Sequence, residues 1–216
     1  MSLSESSHTS IWPRLSVLDF DRRAETLQTG FSSDDPGPTL GASDLNVVIN
    51  APADYRSSSN GALATLFFDP CERMRVLPPD CYQVKCTDPL GTEFMSRAEQ
   101  GIRLLAHSLM HAGLKGTDLM DLMKVLRAST SRKLQLAILP YDESATVPEG
   151  QLRQFRFRTL FASLFAGAEL TLEMYAELGC ALEEINPDIQ AIFLTANNYS
   201  VPHSVLLLGE PEPEET

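Results

Sequence analysis

Strand and helix patterns follow one another from Tyr82-Gln-Val-Lys-Cys-Thr87 to Glu169-Leu-Thr-Leu-Glu-Met-Tyr175, a stretch that holds most of the apolar periodicity in this 216-residue chain. Apolar residues at steps of three and four predict a helix from about Glu93 to Ala112, and Gly113 is a natural end for it. The same spacing predicts a second helix after Thr117, which is a suitable N-cap. No catalytic constellation lies in this stretch, so the pattern is typical of a structural scaffold.

The patterns outside the helices predict strands. Alternating or continuous apolar runs with β-branched and aromatic residues favour strands, and turn-forming residues bound them. The predicted strands are Asp44–Asn50, Ala62–Phe68, Arg73–Leu77, Tyr82–Thr87, Lys133–Leu139, Phe155–Arg158, Leu170–Met174, Ala191–Ala196 and Ser204–Leu208. A short helix is predicted from Gly179 to Ile189, whereas Leu160–Phe165 is compatible with a buried strand or a helix. The expected fold class is therefore α+β, with an antiparallel β-sheet packed against two or three helices.

Composition divides the chain into three parts. At 43% hydrophobic residues, the chain has enough apolar material for one good core. Residues 1–42 are rich in Ser, Asp, Pro and Gly and are expected to form a flexible, partly irregular acidic arm, followed by a single globular domain over residues 43–209. The tail 210–216 alternates Glu with Pro and is expected to be disordered, because it cannot bury apolar surface.

Charge is distributed unevenly along the chain. The formal net charge is −12, yet residues 97–158 contain ten Lys or Arg against six acids. A local excess of cations can neutralise phosphates or lipid headgroups, although a solvated face paired with neighbouring acids is an equally good interpretation. The candidate contact residues for an anionic partner are Lys124, Arg127, Arg132, Lys133, Arg153, Arg156 and Arg158.

The sequence offers no recognisable enzyme site. The four cysteines do not have the paired spacing of a zinc or redox site. His107 and His111 share a helix face, but no third metal ligand can be named. There is no Gly-rich phosphate loop and no nucleophile elbow. We therefore expect no enzyme activity, no metal, no cofactor and no small-molecule substrate. The amino terminus also lacks the pattern of a signal peptide, and no apolar run is long enough to span a membrane.

The order of features resembles the matrix proteins of rhabdoviruses. The resemblance is carried by Val84-Lys85-x-Thr87, Phe94, His107, Gly113, Lys124-x-Leu126, Val147-Pro-Glu149, Arg153 and Gly167-x-Glu-Leu-Thr-Leu-x-Met-Tyr175. These residues cover about ninety positions in the expected order. Two features depart from the family: the arm is acidic instead of basic, and Pro78-Pro-Asp-Cys-Tyr82 is one residue too long for the family's budding motif.

The resemblance implies a divergent viral structural protein that links nucleocapsid to membrane during assembly and budding. Its partners would be further copies of the chain, the viral nucleoprotein or ribonucleoprotein, and the inner membrane leaflet. It would be found in the virion, in the host cytoplasm or at the inner face of the membrane, and in the nucleus if it enters there. Self-association would use the arm residues Ile11, Trp12 and Pro13, because the family polymerises through an N-terminal segment lodged on the next subunit. From the residues alone, packing of Trp12 onto its own domain is the favoured alternative. The apolar loop residues Ala145 and Val147 are further self-association candidates, since they could insert into a neighbour's pocket or a bilayer interface. The alternative is a soluble, non-enzymatic adaptor whose acidic ends bind a basic partner.

Overall fold

The computed structural model describes residues 13–20, 43–56, 61–70, 73–86, 94–110, 118–140, 148–198 and 202–213. These residues form eight strands: β1 Leu15–Asp19, β2 Leu45–Ile49, β3 Ala64–Asp69, β4 Cys81–Cys86, β5 Lys133–Pro140, β6 Phe157–Phe165, β7 Ala191–Asn197 and β8 Ser204–Pro211. The helices are α1 Phe94–Met110, α2 Leu119–Ala128, α3 Glu149–Leu152 and α4 Leu172–Ile185, with a 3-10 turn at Gly167–Glu169.

All eight strands belong to one sheet, in the order β1-β2-β3-β4-β5-β8-β6-β7. Strands β1 to β5 are parallel neighbours, and β6 is parallel to β7. Only β8 runs the other way, between β5 and β6. The prediction of an antiparallel α+β sheet is therefore wrong, since the chain has an α/β fold with a mixed, mostly parallel sheet.

The burial of β2 and β3 is typical of strands in a parallel sheet. Every residue of β2 and of β3 is buried. Sheets of this kind have both faces covered, so their strands are apolar nearly throughout instead of alternating with polar residues. One face of the sheet packs against α1 and α2. The opposite face of β5, β6, β7 and β8 packs against α3 and α4.

Local signals set the helix ends. Asp118 caps α2 through a capping box with Asp121, one residue after the predicted cap at Thr117. Thr171 caps α4 by accepting a hydrogen bond from the backbone N–H of Met174. The predicted strand Leu170–Met174 is wrong because this cap begins a helix within it. The predicted helix at Gly179 accordingly starts earlier, at Leu172.

Residues on both sides of the predicted domain of residues 43–209 belong to the sheet. Leu15–Asp19, within the predicted arm, forms β1 and pairs with β2 over its whole length. Beyond residue 209, β8 continues through Pro211, and the side chain of Glu210 is buried. Part of the arm and part of the tail thus belong to the folded sheet.

Candidate functional site: a polar cleft beside α1

The parallel strands β5 and β6 end at one edge of the sheet. Ser204, the first residue of β8, pairs with Pro140 at the end of β5 and with Phe165 at the end of β6. We call this the carboxyl edge. In open α/β sheets, ligands bind beyond the carboxyl ends of the strands. A ligand site is therefore expected at the carboxyl edge.

A cleft of about 350 Å³ lies at the carboxyl edge, between α1 and the start of β8. Its volume is within the range of small-molecule sites. It is lined by Ser96, Glu99, Gln100, Arg103, Leu104, Pro202 and Ser204. Arg97 donates a hydrogen bond to the side-chain oxygen of Gln100 (3.4 Å). With its oxygen engaged, Gln100 presents its amide nitrogen as a donor to other partners. The cleft thus offers a guanidinium group, a carboxylate, an amide and hydroxyl groups.

Buried contacts fix α1 against the sheet. Ser108 of α1 donates to the backbone oxygen of Leu104 and lies 2.8 Å from the hydroxyl of Ser163 in β6. Asn197, at the end of β7, donates to the same Ser163 hydroxyl (2.9 Å). Nearer the start of α1, Gly101 packs so closely on Leu136 that a Cβ on Gly101 would have to displace the methyl groups of Leu136. These contacts hold the polar side of α1 in place over the carboxyl edge.

A buried ion pair organises the opposite face of β3 and β4. Asp69 ends β3, and its two carboxylate oxygens accept from Arg75 Nε and Nη2, each at 2.9 Å. The guanidinium also donates to the backbone oxygens of Ala51 and Pro52 and lies 4.3 Å from the centre of the Phe67 ring. Because its donors are engaged by the protein itself, this cluster fixes the segments after β2 and β3 and is a structural centre.

Glu210 joins β8 to the α2–β5 loop at the opposite, amino edge of the sheet. Its carboxylate accepts from the backbone N–H groups of Thr130 (3.0 Å) and Ser131 (2.7 Å). Burial alone would raise the pKa of Glu210, but the hydrogen bonds from Ser131 and Thr130 together outweigh it and hold the pKa below its usual value. The predicted disordered tail therefore begins with an ionised, structurally engaged residue.

The structure brings most of the predicted contact residues to the amino edge. Arg132 and Lys133 lie at the start of β5, and Arg156 and Arg158 lie at the start of β6, while Arg127 is in the last turn of α2. We call Arg127, Arg132, Lys133, Arg156 and Arg158 the basic edge. Lys124 pairs with Asp121 (2.8 Å), and Arg153 pairs with Glu184 (3.3 Å). A role in binding an anionic partner remains a prediction for all seven residues.

The predicted self-association residues are mostly outside the described part of the chain. The residues outside the described part are Ile11, Trp12, Ala145 and Val147. Pro13 is described, and it is partly buried just before β1. Among the described residues, Cys81, Cys86 and Cys180 form no disulfide, and no group of three His, Cys, Asp or Glu side chains is placed to hold a metal ion. In the same residues, no helix is both long enough and apolar enough to cross a membrane.

Sequence reasoning missed the cleft and the buried ion pair. The cleft residues Ser96, Glu99, Gln100 and Arg103 recur at steps of three, one and three, which is the spacing of an ordinary solvated helix face. Arg75 lies in Arg73–Leu77, which was predicted to be a strand from its alternation of polar and apolar residues but forms no strand in the structure. The structure inverts the usual rule there, because the arginine is buried and both apolar neighbours are exposed.

Comparisons with known proteins identify the fold. No family model matches the chain, and no curated protein matches its sequence. Among solved structures, it is similar to a single-substitution mutant of FtsZ from M. jannaschii, with a TM-score of 0.53 and 15% identity over 77% of this chain and 64% of that chain. An empty FtsZ dimer from M. jannaschii gives 0.52 and 13% identity over 77% and 63% of the two chains. CetZ from Methanosaeta thermophila gives 0.52 and 14% identity over 80% and 62%.

These similarities correct the identification as a viral matrix protein. Neighbours at such low identity establish the fold alone, and this fold is of the tubulin/FtsZ type. The resemblance to rhabdovirus matrix proteins is wrong, as are the assembly and budding role, the nucleoprotein partner and the virion location inferred from it. The expectation of a non-enzymatic protein without a small-molecule ligand conflicts with what is found for these neighbours, which are tubulin-like GTPases. The matches span just under two thirds of the neighbours' length, and the chain has the FtsZ/CetZ type of α/β fold.

Proposed function

We propose that this chain is a self-assembling cytoskeletal protein of the FtsZ type that binds a nucleoside triphosphate in the cleft beside α1. The observation that carries the proposal is the similarity of its sheet to FtsZ and CetZ. A shared fold alone does not give a shared function, so the nucleotide site depends on the chemistry of the cleft. GTP is the first ligand to test because the neighbours are GTPases.

The cleft has groups suited to a nucleotide. The guanidinium of Arg103 matches the geometry of phosphate oxygens and can bind two of them at once. Ser96 and Ser204 supply hydroxyl groups, and the carboxylate of Glu99 can accept hydrogen bonds from a ribose or a base. The sequence has no Gly-rich phosphate loop. Phosphate binding in this chain therefore depends mainly on Arg103.

The basic edge suits contact with another copy of the chain. The chain as a whole carries a formal charge of −12, so most of its surface repels further copies at low salt. The basic edge is a local exception, at the opposite end of the strands from the cleft. A contact between two different surfaces of identical subunits repeats without closing and forms filaments. We assign the basic edge to such a head-to-tail contact.

The cleft is tested by reversing the charge of Arg103. Fluorescent GTP should bind the wild type saturably, and Arg103→Glu should weaken binding about tenfold or more, because a hydrogen bond to a charged group contributes about 1.5–3 kcal/mol. Arg56→Glu is the matched control, since Arg56 is an exposed arginine that neither lines the cleft nor belongs to the basic edge. Equal affinities for the two variants, or no saturable binding by the wild type, would refute the nucleotide site.

A further inference from the structure

The two strands at the ends of the sheet differ in accessibility. β1 and β7 are the end strands, and no strand among the described residues pairs with their outer edges. In β1 only Leu18 is partly exposed, whereas the first four residues of β7, Ala191 to Leu194, are all partly exposed. An open strand edge presents backbone N–H and C=O groups that can pair with another extended chain. One backbone group of this edge is engaged within the chain, since the Tyr175 hydroxyl donates to the backbone oxygen of Leu194 (3.2 Å). β7 is thus the more accessible end of this sheet.

An apolar groove of about 330 Å³ runs along this end, between β7 and α4. It is lined by Tyr175, Ala176, Gly179, Cys180, Glu183, Ile192 and Leu194. Ile192 and Leu194 lie on the face of β7 that packs against α4. The groove is open beside Gly179 because this residue has no side chain, and a Cβ there would reach only Leu194, at 3.5 Å. A side chain projecting from an added strand would fit this space.

The rim of the groove is acidic. α4 carries Glu173, Glu177, Glu183 and Glu184 and no Lys or Arg. Glu184 is paired with Arg153, while Glu183 is exposed and lines the groove. Lys124 lies over the ring of Phe193, on the other face of the sheet and away from the groove. A second copy of this chain would bring its own acidic α4 against this rim if it paired through the same edge.

We propose that the outer edge of β7 and the α4 groove bind an extended, basic and apolar peptide segment of a partner protein. The segment adds to the sheet as a further strand, so that its backbone pairs with β7 and replaces the Tyr175 hydroxyl as the donor to the backbone oxygen of Leu194. An apolar side chain enters the groove beside Gly179, and a neighbouring lysine or arginine pairs with Glu183. The charge of α4 selects a basic partner over a second acidic copy.

The probe is a short fluorescent peptide of alternating valine and lysine, and its binding is followed by anisotropy with the full chain. Glu183→Lys should weaken binding about fivefold, whereas Glu173→Lys, the same change on the same helix outside the groove, should alter it less than about twofold. Gly179→Leu should abolish binding by filling the groove. A peptide with proline in place of valine should not bind, because proline has no N–H to donate to a strand. Bound peptide should also protect the exposed Cys180 from iodoacetamide.

Three results would overturn the proposal. Equal binding by Glu183→Lys and Glu173→Lys would show that the peptide responds to overall charge and not to the groove. Equal binding of the proline peptide would exclude pairing with β7. Dissociation of assembled wild-type chains by the peptide, measured by sedimentation, would assign the groove to a second copy. Because the anisotropy assay needs neither GTP nor assembly, a failure of the peptide to bind leaves the proposed function intact.

Discussion

Asp69→Ala should lower the free energy of unfolding by about 3–5 kcal/mol, which is the usual cost of removing one partner from a buried ion pair. The side chains of Asp69 and Arg75 are 0% and 1% exposed, and two hydrogen bonds of 2.9 Å join them. Without the carboxylate, the Arg75 guanidinium stays buried above Phe67 with its charge uncompensated. Gln83 also loses one of its two acceptors, because its amide nitrogen donates both to Asp69 and to the backbone oxygen of Arg73. Urea unfolding followed by circular dichroism measures the change.

A double substitution separates the charge from the packing. Asp69→Ala combined with Arg75→Met removes both charges and keeps an unbranched side chain near Phe67, so it should cost less than the sum of the two single changes. Glu149→Ala is the control, because Glu149 and Arg153 form an exposed pair at 3.8 Å and such pairs contribute at most about 1 kcal/mol. If Asp69→Ala were as mild as Glu149→Ala, the ion pair would not be a structural centre.

Gly209→Ala should destabilise the chain by about 3 kcal/mol, at the upper end of overpacking effects. A Cβ on Gly209 would overlap the backbone oxygen of Thr159 and touch the ring of Phe157. The overlap is with backbone and not with a flexible side-chain end, so a rotamer change cannot relieve it. β8 is hydrogen-bonded to β5 on one side and to β6 on the other, and a shift that relieved the overlap would break one of these ladders.

Gly150→Ala provides the matched control for this substitution. Nothing lies within 4 Å of the position of its missing Cβ, and the residue is in α3. Alanine in a helix is favoured over glycine, so Gly150→Ala should leave stability unchanged or raise it by up to about 1 kcal/mol. The measurement is again the urea midpoint. Equal midpoints for the two variants would mean that β6 and β8 do not approach each other as described.

The elements of this fold were more predictable than their arrangement. The periodic apolar residues of α1 and α2 gave both helices to within a few residues, and the runs at β2, β3, β5, β7 and β8 were found as strands. Pairing direction was missed although a signal existed, since Leu45–Ile49 and Ala64–Phe68 are nearly continuous apolar runs of the kind found in parallel sheets. The strand predicted at Leu170–Met174 failed because alternation over five residues is also compatible with a capped helix start, and Thr171 is that cap.

The candidate site was not predictable from sequence, for physical reasons. Arg103 and Gln100 are polar residues on the solvent side of an amphipathic helix, and only the position of Ser204 beside them makes a cleft. That position depends on pairing between residues far apart in the chain. The residues of the basic edge could be predicted as a cluster because they are close in sequence. That they lie together at one edge of the sheet follows from the pairing of β5, β8 and β6, which the sequence does not reveal.

Sedimentation of the purified chain with and without GTP tests the proposed function most directly. We expect the wild type to form polymer that pellets only with GTP, and the triple variant Arg127→Glu, Lys133→Glu and Arg156→Glu to remain in the supernatant because its basic edge has become acidic. Arg56→Glu, which reverses an exposed arginine outside the basic edge, should pellet like the wild type. A wild-type chain that stays monomeric at every concentration, with or without GTP, would contradict the account.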